Sequence, residues 1–275
     1  MQLLKRILHQ PLALTGLCIM ILMVLVAILA PVIAQHDPLE VNFKKRLLPP
    51  SFEHPFGTDQ MGRDVLSRVV YGARISLRIG LIVVIIAFPF GSILGAIAGF
   101  YGGRLDELIM RITDVFLCIP GLILAMAIAA ALGPSIQNVL LSLAVVWWPW
   151  YTRIVRSVIL GLKEQDFVTA ARAIGVPHRR IILRHLLPNA IAPATVNATL
   201  DIGFVILNAA GLSFIGLGAQ PPSPEWGAML STSRDILREA WWAATFPGLA
   251  ILLTVLSFNL LGDAFRDLLD PRLRA

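Results

Sequence analysis

Apolar residues fall in six long runs, Leu12–Ala34, Leu77–Phe100, Thr113–Leu132, Ile136–Leu160, Ala190–Gly218 and Thr245–Gly262. Each is close to the roughly 20 residues that a helix needs to cross a bilayer core. None shows the apolar–polar alternation of a membrane strand, so backbone polar groups must be satisfied within helices. The pattern predicts an all-α membrane protein with six transmembrane helices. The first run is too long for a signal-peptide core of about 7–15 residues and reads as a retained span, although Val32-Ile33-Ala34 resembles a cleavage site. Only Gly133-Pro134-Ser135 separates the third and fourth runs, which predicts a tight hairpin. Pro89, Pro120-Gly121, Pro149 and Pro247-Gly248 sit inside runs and are either fixed kinks or gating hinges. Gly91, Gly95 and Gly99 recur at four-residue spacing, which stacks them on one helical face and invites close packing by another helix.

Composition agrees with the pattern. Of 275 residues, 57% are hydrophobic and 15% charged, far from the usual balance of a soluble domain. The net charge of +6 does not point to nucleic acid, because Lys and Arg flank the apolar runs and gather on no single soluble face. With the N-terminus inside, Lys and Arg concentrate in segments that become cytoplasmic, led by Arg153, Arg156, Lys163, Arg172, Arg179, Arg180 and Arg184; Lys5, Arg6, Arg266, Arg272 and Arg274 fall on the same side, while Lys44-Lys45-Arg46 opposes this orientation. Cys18 and Cys118 lie in apolar runs and read as buried thiols. The five histidines, His9, His36, His54, His178 and His185, have no metal-ligand spacing. There is no GxxxxGK[ST] loop to cradle nucleotide phosphates, and no HExxH or GxSxG.

The basic stretch from Glu164 to Asn189 stands apart from the apolar runs. A helix starting at Asp166 would share Val168, Ala171 and Ile174 on one face, and Gly175 followed by Pro177 would end it. A second short helix from about His178 to Leu187 would turn Ile181, Ile182 and Leu186 to the membrane domain and Arg179, Arg180 and Arg184 to water. Ala170 and Ala171 keep the first helix thin enough to enter a groove. Upstream, Thr58 and Asp59 can cap a surface helix with Val65, Leu66, Val69, Val70 and Ala73 as its apolar stripe and Arg63, Asp64, Arg68 and Arg74 on the remainder. Pro224 suits a helix start, and Trp226, Trp241 and Trp242 suit an interfacial belt. In the fifth run Asn197, Asp201 and Asn208 share a helical face; they either line a pathway or hydrogen-bond between helices.

The segment EQDFVTAARAIGVPHRRIILRHLLPN (164–189) resembles the EAA loop of the membrane subunits of ATP-binding-cassette (ABC) importers. HPFGTDQMGRDVLSRVVYGARIS (54–76), SFIGLGAQPPSPEWGAML (213–230) and FPGLAILLTVLSFNLLGDAFRDLLDPRL (246–273) resemble segments of the C-type permease subunit of dipeptide, oligopeptide and nickel importers. The resemblance implies a type I importer permease fold, with residues 1–76 as an N-terminal span plus external amphipathic helix and 77–275 as a five-span core with a cytoplasmic coupling loop at 161–189. It implies that Glu164, Asp166, Ala170, Ala171, Arg172, Gly175, His185, Leu187 and Pro188 meet the ATPase. Thr169 and His185 depart from the glutamate and isoleucine common at those places. It further implies an inner-membrane, multi-pass, non-catalytic subunit with both termini cytoplasmic. The expected partners are a homologous second permease subunit, two ATP-binding subunits carrying ATP and Mg, and an extracytoplasmic binding protein; no nucleic acid and no cofactor on this chain are expected. Di- or oligopeptides are the expected cargo, with nickel or glutathione as alternatives. The rival class is a secondary transporter in which Asp201 carries a proton, against which no inverted repeat is visible. A membrane enzyme lacks a nucleophile–base or metal constellation.

Overall fold

A computed structural model describes residues 10–269, and the described residues contain helices and no strands. Lys5, Arg6, His9, Arg272 and Arg274, and the end of the 246–273 segment, lie outside them. The chain forms α1 (Pro11–Ile28), α2 (Ala30–Ile33), α3 (Val65–Tyr101), α4 (Gly103–Cys118), α5 (Gly121–Leu132), α6 (Ile136–Leu162), α7 (Asp166–Ala173), α8 (His178–Ile181), α9 (Leu187–Phe214), α10 (Trp226–Ser233) and α11 (Trp242–Leu269). By length and composition α1, α3, α8–α9 and α11 qualify as spans, and α4–α5 make a fifth if counted as one broken passage. The remaining expected passage, 136–160, is the single helix α6. Its 27 residues reach across a bilayer at about 1.5 Å each, but Trp147, Trp148, Trp150, Tyr151 and Arg153 make it less apolar than the other four.

The expected span Thr113–Leu132 is bent by 89° between α4 and α5. Ile119 is extended, as a residue before proline prefers, and Pro120 cannot continue the ladder. Pro89, Pro149, Pro193 and Pro247 stay inside continuous helices.

The largest helix–helix contact is α3 on α6, and the glycine stripe explains it. A β-carbon on Gly91 would run into the carbonyl oxygen of Trp148, one on Gly95 would lie 2.5 Å from that of Thr152, and one on Gly99 2.9 Å from Ile159 Cβ. The Thr152 hydroxyl donates to Gly91 O at 3.1 Å and to Trp148 O at 3.2 Å. Small residues thus bring two backbones together within this chain. Three clusters stack along the bundle. Val83, Leu143, Tyr151 and Leu212 fill the middle. Val65, Trp226, Met229 and Trp242 fill the end that carries residues 35–64 and 219–241. Phe100, Ile159, Ile181 and Leu186 fill the end that carries 163–186.

Burial corrects several expectations. Cys18 and Cys118 are exposed, because a residue in an apolar span faces lipid as readily as protein. Trp226 and Trp242 are buried, donating from Nε1 to Val69 O at 2.9 Å and Thr58 O at 3.0 Å; only Trp241 stays at the surface. The surface helix and the second span are one helix, since α3 runs unbroken from Val65 to Tyr101. Its cap is Asp64, which accepts from Ser67 N at 2.7 Å, and not Thr58 or Asp59. Arg63, Asp64 and Arg68 are buried. Asp59 pairs with Arg63 at 2.7 Å and Arg68 at 3.6 Å, while Arg68 also donates to Pro38 O, Pro222 O and Ser223 O. Charged side chains can be buried when they are paired and hydrogen-bonded, and here they tie two connecting segments, 34–64 and 215–225, to the head of α3.

Candidate functional site

The elbow at 163–186 is built from local rules. Asp166 opens α7 as expected, placing a carboxylate at the positive end of the helix. At the other end Gly175 has φ +78°, Gly175 N donates to Arg172 O at 3.0 Å and Val176 N to Ala171 O at 3.0 Å. This pair of bonds is a Schellman stop, which needs a left-handed residue that glycine supplies without strain. Val168 and Ala171 are buried against the third cluster. Ile174, expected on the same face, is 80% exposed. It is the C-cap, where the backbone leaves the helix (φ −87°, ψ 9°), so the 3.6-residue periodicity no longer sets its direction. Phe167, Thr169 and Ala170 are exposed too, and Glu164, Asp166, Arg172 and Gly175 share that open surface. Arg172 lies over the Phe100 ring at 5.2 Å, and His178 meets the same ring edge-on at 5.3 Å. The elbow is therefore braced on the end of α3.

The second arm buries Ile181, Ile182 and Leu186 and exposes Arg179, Arg180 and Arg184, as expected. It does not close at Leu187-Pro188. Residues Ile182–Leu186 form a π turn, with Leu187 N donating to Ile182 O, and the chain continues directly into α9. Pro188 has no N–H and would break a regular ladder; one wide turn absorbs the defect near the start of α9. His185 and Leu187 are half-buried and Pro188 is exposed. The result is a lever: a short exposed helix joined through one turn to a membrane helix.

The polar stripe of α9 divides. Asn197 Nδ2 donates to Pro193 O at 3.1 Å and Asn208 Nδ2 to Phe204 O at 2.7 Å, both within their own helix. Asp201 Oδ2 accepts from the Tyr151 hydroxyl of α6 at 2.6 Å. Of the two readings of Asp201, the interhelical bond is present.

At the opposite end, Glu225 caps α10, accepting from Gly227 N at 3.0 Å and Ala228 N at 2.9 Å and, more loosely, from Ser76 Oγ at 3.4 Å. It is buried, and that burial pushes its carboxyl above the usual carboxylate range despite those bonds. Linear spacing also hid a cluster: His36, His54 and Asp64 come together beside the head of α3. The signal in the sequence was that His54 and Asp64 belong to one polar segment, 54–64; nothing local linked His36 to it.

The family model described as binding-protein-dependent transport system inner membrane component matches residues 91–275, and the model described as N-terminal TM domain of oligopeptide transport permease C matches residues 2–50. The dipeptide transport system permease protein DppC of Alkalihalophilus pseudofirmus is 49% identical, over 98% of this chain and 89% of the relative. The probable D,D-dipeptide transport system permease protein DdpC of Escherichia coli is 50% identical over 96% and 88%. The glutathione transport system permease protein GsiD of Escherichia coli is 46% identical over 98% and 89%. Among solved structures, an inward-facing MetNI methionine ABC transporter chain aligns with TM-score 0.58 and 21% identity, covering 74% of this chain and 97% of that one, a likeness of fold.

Proposed function

Because the chain belongs to the binding-protein-dependent transport system inner membrane component family, we propose that it is the permease subunit of an ATP-driven importer of di- or oligopeptides. The dipeptide permeases among its relatives support the peptide assignment; the glutathione permease among them keeps the cargo within small peptides. The observation that carries the mechanism is the braced elbow. α7 and its C-cap offer Phe167, Ala170 and Ile174 on an open surface while the other face of the helix is anchored by Val168 and Ala171. Exposed apolar residues on a rigid, thin helix suit insertion into a partner's groove.

In this reading the elbow faces the cytoplasm and is gripped by one of two ATP-binding subunits, which hold ATP and Mg and carry out hydrolysis. A homologous second permease completes the path, and an extracytoplasmic binding protein delivers the peptide at the end bearing 35–64 and 219–241. Glu164, Asp166, Arg172 and Gly175 belong to the gripped surface or hold its shape, and His185, Leu187 and Pro188 form the joint that transmits its movement to α9. ATP binding has only to favour the outward-facing state over the inward-facing one. Residues 1–76 then supply an accessory span and external loop to the core of 77–275, and both termini are cytoplasmic.

Uptake of a labelled dipeptide into vesicles carrying the full complex tests this. With ATP inside the compartment that faces the elbow, and no ion gradient, uptake is expected. Uptake that follows a pH gradient and ignores ATP would replace this reading with a proton-coupled one.

A further inference from the structure

We propose that His36, His54 and Asp64 bind one divalent transition-metal ion of the zinc class, tying the segment after α2 to the head of α3. Asp64 Oδ1 accepts from His54 Nδ1 at 2.9 Å, and Asp64 Oδ2 accepts from Ser67 N at 2.7 Å. Capping alone accounts for those two residues. It does not account for His36, whose Nδ1 is buried, has no hydrogen-bond partner and sits 3.9 Å from Asp64 Oδ1. That gap is too long for a hydrogen bond, and buried ring nitrogens are normally partnered.

The spacing suits a shared ion. Zinc takes imidazole nitrogen at about 2.0–2.1 Å and carboxylate oxygen at about 2.0–2.2 Å in a tetrahedral arrangement, which sets two donors on one ion roughly 3.3–3.5 Å apart. The observed separations of 2.9 and 3.9 Å fall on either side, and the donor atoms of all three residues lie within 4.8 Å of one another. Two imidazoles and one carboxylate suit zinc and its neighbours better than calcium or magnesium, which prefer oxygen.

The surroundings also fit. A cavity of about 40 Å³ is lined by these residues together with Asp37 and Glu40, room for an ion and a water as fourth ligand. Those two acids, with Glu53 and Asp64, outnumber the cation of Lys45, which is itself paired with Glu53. When Nδ1 of His54 takes the ion, the single ring proton sits on Nε2, whose neighbours are Lys45 Nζ at 3.5 Å and, beyond hydrogen-bond reach, Glu53 Oε1 at 3.8 Å. The site is independent of which peptide is carried.

The test uses the full complex, purified without a histidine tag and stripped with chelator, and zinc chloride as the probe. Calorimetry and elemental analysis are expected to find one more zinc per complex in the wild type than in His36→Ala, or an affinity in the variant lower by at least the roughly 10–100-fold that loss of an outer partner alone costs. Zinc is expected to raise the melting temperature of the wild type only; the metal-free variant melts at or below the metal-free wild type, because the His36 ring packs on that of His54 at 4.7 Å, so the zinc-dependent shift of each protein is compared with its own metal-free form. If His36→Ala does not fold, His36→Phe keeps the ring's volume without a donor nitrogen and is measured in the same way. Equal zinc stoichiometry and affinity in wild type and variant, or no zinc-dependent shift in the wild type, overturns the proposal; binding at His178 or His185 is common to both proteins and cancels.

Discussion

Replacing Gly95 with alanine probes the contact on which the bundle is built. The added methyl would lie 2.5 Å from Thr152 O, 3.0 Å from Arg156 N and 3.1 Å from Val155 Cβ, where ordinary contact begins at 3.4 Å. Two of these neighbours are backbone atoms of α6 and cannot swing aside, so α3 and α6 must part by most of an ångström. Overpacking of this kind costs about 1–3 kcal/mol. Glycine to alanine in a helix also brings a gain of roughly 0.5–1 kcal/mol, which has to be removed from the comparison. Gly211→Ala does so: Gly211 lies in α9 and a β-carbon there would meet nothing within 4 Å. The difference between the two variants isolates the packing cost at about 2 kcal/mol, or roughly 4–8 °C in melting temperature for a chain of this size. The assay is thermal loss of the monodisperse species in one detergent, read by size exclusion. If Gly95→Ala melts with Gly211→Ala, the close approach of α3 and α6 is wrong.

Three further outcomes are expected. Gly175→Val forces a β-branched residue to φ +78°, at a cost of about 1–2 kcal/mol, and should loosen the elbow so that ATP-dependent uptake falls while the complex still assembles; Gly175→Asn should retain most uptake. Asp201→Ala removes the bond from Tyr151 at about 0.6–1.7 kcal/mol in a membrane bundle and should impair uptake in an assembled complex; wild-type uptake would show that neither this bond nor the carboxylate is needed for transport. With Cys18 and Cys118 replaced by serine, Ile174→Cys, at an 80% exposed position, should react with an impermeant maleimide only from the cytoplasmic face, and labelling from outside would reverse the proposed orientation.

Residues with short-range rules were legible in the sequence. Asp166 opening α7, Gly175 stopping it, and Ile181, Ile182 and Leu186 turning inward all follow from capping, backbone freedom and periodicity within one segment. Ile174 failed because it sits one step past the helix that the periodicity assumed. The joint at Pro188 failed because a proline reads as an end, whereas a π turn let the helix pass it. Asp201 was visible as an acid in a span, but its partner Tyr151 lies 50 positions away on another helix. Arg63 and Arg68 looked solvated because isolated charges usually are; their burial depends on Asp59 and on carbonyls from residues 38, 222 and 223.

Hydrophobicity and helix-end chemistry are properties of a residue and its near neighbours, so the chain alone specifies a helical membrane protein, the elbow's outline and its family. Which faces meet lipid, where the glycine stripe docks, how buried charges are neutralised and that His36 reaches Asp64 are relations between distant segments. Those relations exist only once packing has brought the segments within a few ångströms, and no local pattern encodes that distance.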